Sequence, residues 1–328
     1  MATIGSAMLL PRIAQARDKR ALRVMLLGQS LIQRAICDDG WPGMAAIAAL
    51  LRRADVVFTD LETPIEGASA GEPTRSDATL HRAPPAVLDC LKALGVTLVT
   101  TANNHAWDLG TGGILSTIDA LDRRGIVHAG SGRDLDTAAA PAIQQTPHGG
   151  FALVAAAAGA IRPGAAAAVD HPGVNEVRRR DDGSLEPEDV ARVLAAIRTA
   201  RASGATVLMC LHNHYWEPVQ SDTPAWQKAF ARACIDAGAA AFVGHGTPAM
   251  QRHEFHRGAP LFHGLGNFVF QTRKADGAYG ASAWRSVIVD ARFNGRFVDA
   301  RFHPIRLDAT KRREYSSGAP ELAPSGAP

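Results

Sequence analysis

Three things are scarce in this sequence: excess charge of one sign, paired cysteines and long apolar runs. Lys and Arg number 35 against 32 Asp and Glu, a formal net charge of +3, and the basic residues are scattered. No basic stripe marks a nucleic-acid partner. The four cysteines, Cys37, Cys90, Cys210 and Cys234, stand far apart with no Cys-x-x-Cys pair, which argues against a zinc knuckle or a disulfide-dense scaffold. Cys90, Cys210 and Cys234 fall in apolar runs and read as core residues. No stretch supplies the roughly 18 to 20 uninterrupted apolar residues of a spanning helix, so no transmembrane segment is expected.

At 328 residues and 46% hydrophobic, the chain can bury a large core. One α/β domain over residues 17–311 is expected, followed by a Pro-, Gly- and Ser-rich disordered tail over 312–328. Residues 1–16 combine a small apolar run with Ala14-Gln15-Ala16. They read either as the remnant of an export signal lacking its basic start, which would make the protein exported or periplasmic, or as an N-terminal arm of a cytoplasmic protein.

The segments alternate between strand and helix. Residues 22–27 and 56–58 read as buried strands, 44–53 and 86–94 as helices, and 96–100 as a strand that leads into Ala102-Asn103-Asn104-His105. A helix is expected over 114–124 and a strand over 151–157. Residues 159–187 read as an irregular excursion able to cover a pocket. The rhythm resumes with helices over 187–202 and 224–237 and strands over 207–211 and 240–243. Strand-rich segments at 260–262, 267–270, 286–290 and 297–302 suggest a second sheet packed on the first.

Four of these strands end in residues from one chemical menu: Asp60 and Glu62; Asn104 and His105, with Asp108 nearby; His212 and His214, with Glu217; and His245. Ligands bind outside the carboxyl ends of strands in α/β sheets, where distant loops converge. Carboxylate, amide oxygen and imidazole together suit a divalent ion such as Zn²⁺, Mn²⁺, Fe²⁺ or Mg²⁺. Singly, each residue has a plainer reading: a loop histidine, a turn-capping carboxylate, an asparagine in a left-handed turn. Trp41, Trp107 and Trp216 could wall a substrate or plug the core. Arg82, Arg162 and Arg178 to Arg180 could hold substrate carboxylates or lie solvated on the surface.

The strings Thr59-Asp60-Leu61-Glu62-Thr63-Pro64, Ala102-Asn103-Asn104-His105-Ala106-Trp107-Asp108-Leu109-Gly110, Gly244-His245-Gly246 with Gln251, and Leu265-Gly266-Asn267-Phe268 resemble the CapA/PgsA family of capsule and poly-γ-glutamate biosynthesis proteins. The resemblance runs over about residues 22–272. It implies a metallophosphoesterase-like (calcineurin-like) fold, a four-layer αββα sandwich of two mixed β-sheets flanked by helices. It further implies that Glu62, Asn104, His212 and His245 are metal ligands and that His105 is the proton-transferring acid; His214, where this chain departs from the family's usual His-Trp-Gly-x-Glu, could add a ligand or a base or simply line the pocket. Gln29, Asp60, Trp107, Tyr215, Glu217 and Asn267 are expected around the substrate.

Two departures from the family pattern fall on one of its two metal positions. Gly28-Gln29 stands where Gly-Asp is usual, and Thr247-Pro248 where another histidine is usual. A site for one divalent ion is therefore expected, which weakens a phosphodiesterase reading, since that chemistry uses two ions. What remains is a metal-dependent hydrolase or transferase acting at an amide of a carboxylate-rich polymer or peptide, or a peptide epimerase. From another class comes a non-catalytic assembly factor for an anionic capsule polymer.

Overall fold

The computed structural model describes residues 21–312 and 314–324; the expected export segment lies outside them. An eight-stranded mixed sheet is built from β1 (Leu22–Leu31), β2 (Val56–Leu61), β3 (Leu98–Thr100), β4 (Val127–Ala129), β13 (Asn267–Phe270), β14 (Arg285–Phe293), β15 (Phe297–Leu307) and β18 (Pro320–Leu322). A six-stranded mixed sheet contains β6 (Ala142–Thr146), β7 (Gly149–Ala158), β9 (Thr206–Asn213), β10 (Ala241–His245), β11 (His253–His256) and β12 (Ala259–Phe262). Two short pairs complete the strands: β5 (Ser131–Gly132) with β8 (Gly173–Val174), and β16 (Lys311–Arg312) with β17 (Tyr315–Ser316). The helices are α1 (Ile36–Asp39), α2 (Met44–Leu51), α3 (Ala86–Leu94), α4 (Gly110–Asp122), α5 (Leu135–Ala139), α6 (Pro187–Ala202) and α7 (Ala225–Asp236).

Strand alternation separates three cores. In β1, Met25 and Leu27 face outward onto Ile47 and Leu51 of α2 and Leu88 and Leu91 of α3, whereas Val24 and Leu26 face inward. There they meet Phe151, Leu153, Leu208 and Val243 of the other sheet. On the far side of that sheet Val154, Met209 and Phe242 pack on Val193 and Ile197 of α6 and Phe230 of α7. The layers therefore run helix, sheet, sheet, helix, the expected four-layer sandwich.

The membership of the sheets differs from the expectation. Residues 267–270, 286–290 and 297–302 do not form a second sheet. β13 and β14 pair with β1 and complete the first sheet, and β15 extends it through β14. The second sheet comes instead from the middle of the chain, joined only by β11 and β12. Apolar alternation fixes which face of a strand is buried but not which neighbour it takes.

The expected tail is also corrected, because β18 pairs antiparallel with β15 and Trp41 Nε1 donates to the Pro320 carbonyl at 2.7 Å. Trp41 thus packs, half-buried, against the core and the last described strand rather than forming a substrate wall.

Cys90 is buried as expected, but it is bonded to Cys37, 53 residues away, joining α1 to α3; spacing alone gave no sign of the pair. Closing a loop of that length should contribute about 2 to 4 kcal/mol through the unfolded chain. The C37S/C90S protein should therefore show a clearly lower denaturant midpoint than the oxidised wild type, and an unchanged midpoint would contradict this.

Candidate metal centre

The alternation that builds the inter-sheet core also builds the site. Phe58, Cys210 and Val243 all face the space between the sheets. The residues two further on, Asp60, His212 and His245, must face the same way. Two beyond those come Glu62 and His214, just past the strand ends. All three strand-end groups are fully buried or nearly so, and His245 sits directly beside His212 in the register of β10 and β9.

His212 is the hub. Asp60 Oδ2 accepts from its Nδ1 at 2.7 Å, and Asn103 Nδ2 holds the other oxygen of that carboxylate at 3.1 Å. Donation to Asp60 places the ring proton on Nδ1 and leaves a lone pair on Nε2. That nitrogen faces Asn104 Oδ1 at 2.9 Å and Glu62 Oε1 at 3.8 Å. Two acceptors at this distance with no hydrogen between them repel, unless a cation joins them. Ligand atoms of Glu62, His212 and His214 lie within 4.8 Å of one another, and the His212 and His214 rings stack at 5.0 Å.

Glu62 Oε2 and His214 Nε2 are buried without a hydrogen-bond partner among the described residues. Leaving a buried carboxylate oxygen unpaired costs a few kcal/mol unless a proton or a cation meets it. Burial pushes Glu62 well above its usual range, with Asp60 and Asp108 adding to the effect. Burial also raises Asp60 to about 7 and holds His212 down to about 3. His214 is depressed by the same cause. Neutral imidazoles are the state in which histidine binds a divalent ion, and such an ion would displace the proton that burial favours on the partnerless Glu62 carboxyl, so the donor set fits such an ion.

Beside this cluster lies a second histidine device. His105 Nδ1 donates to Asp108 Oδ2 at 2.9 Å, which leaves Nε2 free to act as a base. Asp108 is completely buried and neutralised by Arg75 at 2.9 Å and Arg162 at 3.0 Å; the His81 backbone N–H donates to it at 2.8 Å. Burial raises Asp108 to about 6 in spite of these partners, and burial with nearby Arg75 holds His105 well down. The His81 ring packs on His105 at 4.1 Å.

Of the four expected ligands the structure brings together Glu62, Asn104 and His212. His214, expected as a base or a further ligand, stands in the cluster. His245 is outside it: its Nδ1 lies 3.9 Å from Asp60 Oδ2, on the Nδ1 side of His212. Asp60, expected near substrate, instead orients His212. Gln29 Oε1 accepts the Gly246 N–H at 2.8 Å, so this amide clamps β1 to the His245 loop. Gly28 beside it lets β1 approach the chain ahead of β13, since an added Cβ would sit 2.4 Å from the Gly266 carbonyl oxygen.

Asn267, fully buried, donates to the Ala283 carbonyl at 2.9 Å. The Tyr215 ring turns toward Trp226 and Arg179, and Glu217 is exposed. Trp107 lies under the Arg162 guanidinium, 5.3 Å from its centre, and the Trp216 ring packs on His214 at 4.7 Å. The excursion over 159–187 thus reaches the site through Arg162. Arg178 and Arg180 pair instead with Asp189 and Glu186 near the start of α6, and Arg82 pairs with Glu66. Arg75 and His81 were not anticipated, since a lone arginine and histidine in a loop carry no spacing signal.

No helix among the described residues is long and apolar enough to cross a membrane. An uncharacterized protein of Sinorhizobium fredii is 28% identical, covering 92% of this chain and 86% of its own. A probable polyglutamine synthesis accessory protein of Mycobacterium tuberculosis is 28% identical over 85% of this chain and 73% of its own. The capsule biosynthesis protein CapA of Bacillus anthracis is 25% identical over 71% of this chain and 55% of its own. Among solved structures, the crystal structure of TT1561 of Thermus thermophilus aligns with a TM-score of 0.39 and 8% identity over 82% of this chain and 94% of that one, too loose a likeness to argue from. Residues 5–272 match the bacterial capsule synthesis protein PGA_cap, and the chain belongs to that family, as its motifs imply.

Proposed function

We propose that this chain takes part in capsule or polyglutamate biosynthesis as a metal-dependent enzyme that hydrolyses, or transfers at, an amide bond of a carboxylate-rich polymer. The observation that carries the reading is the approach of His212 Nε2 to the Asn104 amide oxygen at 2.9 Å, with Glu62 Oε2 and His214 Nε2 unpartnered beside it. Glu62, Asn104, His212 and His214 would hold one ion. When bound there, a divalent ion supplies Lewis acidity toward an amide carbonyl.

The protein's own part follows from the second device. His105 takes a proton from the attacking nucleophile at Nε2 and returns one to the leaving amine. Asp108 keeps the ring in the required tautomer, and Arg75 and Arg162 keep Asp108 charged. The names of the tuberculosis and anthracis relatives supply polymer and capsule synthesis, and the carboxylate-rich polymer comes from the motif resemblance to the poly-γ-glutamate biosynthesis proteins. The Gln29 amide, already committed to Gly246, supports one ion rather than two.

Purified protein should carry about one equivalent of divalent metal, and a chelator should abolish release of amine from γ-glutamyl oligomers. A metal-free preparation that keeps its activity would overturn the reading. Two equivalents, or brisk turnover of an aryl phosphate, would overturn the one-ion amide chemistry.

A further inference from the structure

A groove of about 480 Å³ opens where the β11 and β12 edge of the second sheet meets β14 and β15 of the first. Its floor is apolar, with Leu265 buried and Met250 and Phe302 exposed at 40% and 45%. Around it stand Arg252, Arg285 and Arg306. None of the three has an ion pair or side-chain hydrogen bond among the described residues. Arg285 and Arg306 are direct cross-strand partners in β14 and β15, and like charges placed opposite one another destabilise a sheet. The nearby carboxylates are Asp222 in the lining and Glu321, opposite Arg306 in β18; neither pairs with an arginine of the groove.

Two loops of the groove lead back along the chain to strands of the candidate metal centre. Met250 and Gln251 belong to the loop that follows His245, and Ser221 and Asp222 to the loop that follows His214. Gln251 Nε2 ties the two loops together by donating to the carbonyls of Gln220 at 2.9 Å and Asp222 at 3.0 Å.

We propose that this groove is a second binding surface for an acidic chain, with Arg252, Arg285 and Arg306 receiving its carboxylates and Met250 and Phe302 its aliphatic parts. Charge complementarity selects this occupant over an apolar peptide: three unpaired guanidiniums face a groove with one carboxylate, and an anion relieves the Arg285–Arg306 repulsion. The inference rests on the polymer part of the functional reading and is independent of the metal.

Fluorescent oligoglutamate is the probe, with oligoglutamine as the neutral control. Wild type should bind oligoglutamate with an affinity that falls as salt is raised, and R252Q/R285Q/R306Q should bind it at least about tenfold more weakly. H212A should keep the part of this binding that the three arginine substitutions remove, so a failed metal reading leaves the groove testable. R285Q alone should melt no lower than wild type and should still weaken binding, which guards against a triple variant that does not fold. Equal binding by wild type and the folded arginine variants would overturn the proposal. So would equal affinity for oligoglutamine, or an arginine variant that turns a self-associated protein into monomers, which would make the groove a face between copies.

Discussion

Replacing His212 by alanine should remove the bound divalent metal and lower amide turnover at least about 100-fold. The ring does two things that no neighbour can replace. Its Nε2 supplies the lone pair at the centre of the donor set, and its Nδ1–H ties β9 of one sheet to Asp60 of the other. The D60N protein separates these roles. It keeps the ring in place but offers an amide where a carboxylate fixed the tautomer, so metal affinity should fall about 10- to 100-fold. Metal content by elemental analysis is the deciding measurement. If the Asn104 amide instead turns an N–H toward Nε2, His212 is a buried structural histidine, and metal content will not respond to either change.

Replacing His105 should have a different signature. In H105A the ligand cluster is untouched, so metal content should stay at the wild-type level while kcat drops about 10²- to 10⁴-fold, the usual worth of a positioned acid or base. Since Asp108 Oδ2 acts only through the ring, D108N should lower kcat without raising KM, and it should also destabilise the protein by leaving Arg75 and Arg162 facing a neutral amide. Loss of metal in H105A would make this residue part of the metal cage rather than the proton carrier.

Much of the site was legible because it follows the period of a strand. Asp60 and Glu62, and His212 and His214, were singled out at the ends of apolar strands, and in the structure they continue the inward positions of Phe58 and Cys210. Asn103 and Asp108 belong to the same short motif as Asn104 and His105, though their roles as clamps for Asp60 and His105 emerge only from hydrogen-bond geometry. Arg75 and His81 were not legible, since both act across a loop on a motif more than 20 residues away. The Cys37–Cys90 bond and the β18 edge strand were hidden for a related reason: each depends on a partner chosen by tertiary contact, which local composition does not record. The place of His245 outside the cluster was not legible either, since it follows from the β10 and β9 register and from the Gln29 contact to the following glycine.

The placement of β1 sets the order in which the molecule can assemble. This strand has β2 on one side, available some thirty residues later, and β14 on the other, whose Val289 to Phe293 register with Leu26 to Leu22. During synthesis at about 5 to 20 residues per second, the β14 side of β1 waits more than ten seconds for its partner. Throughout that interval a strand that ends up almost wholly buried presents unpaired backbone to any other nascent chain. An unpaired strand edge is therefore exposed while the chain is still on the ribosome, and a chaperone that shields that edge should raise the yield of folded protein.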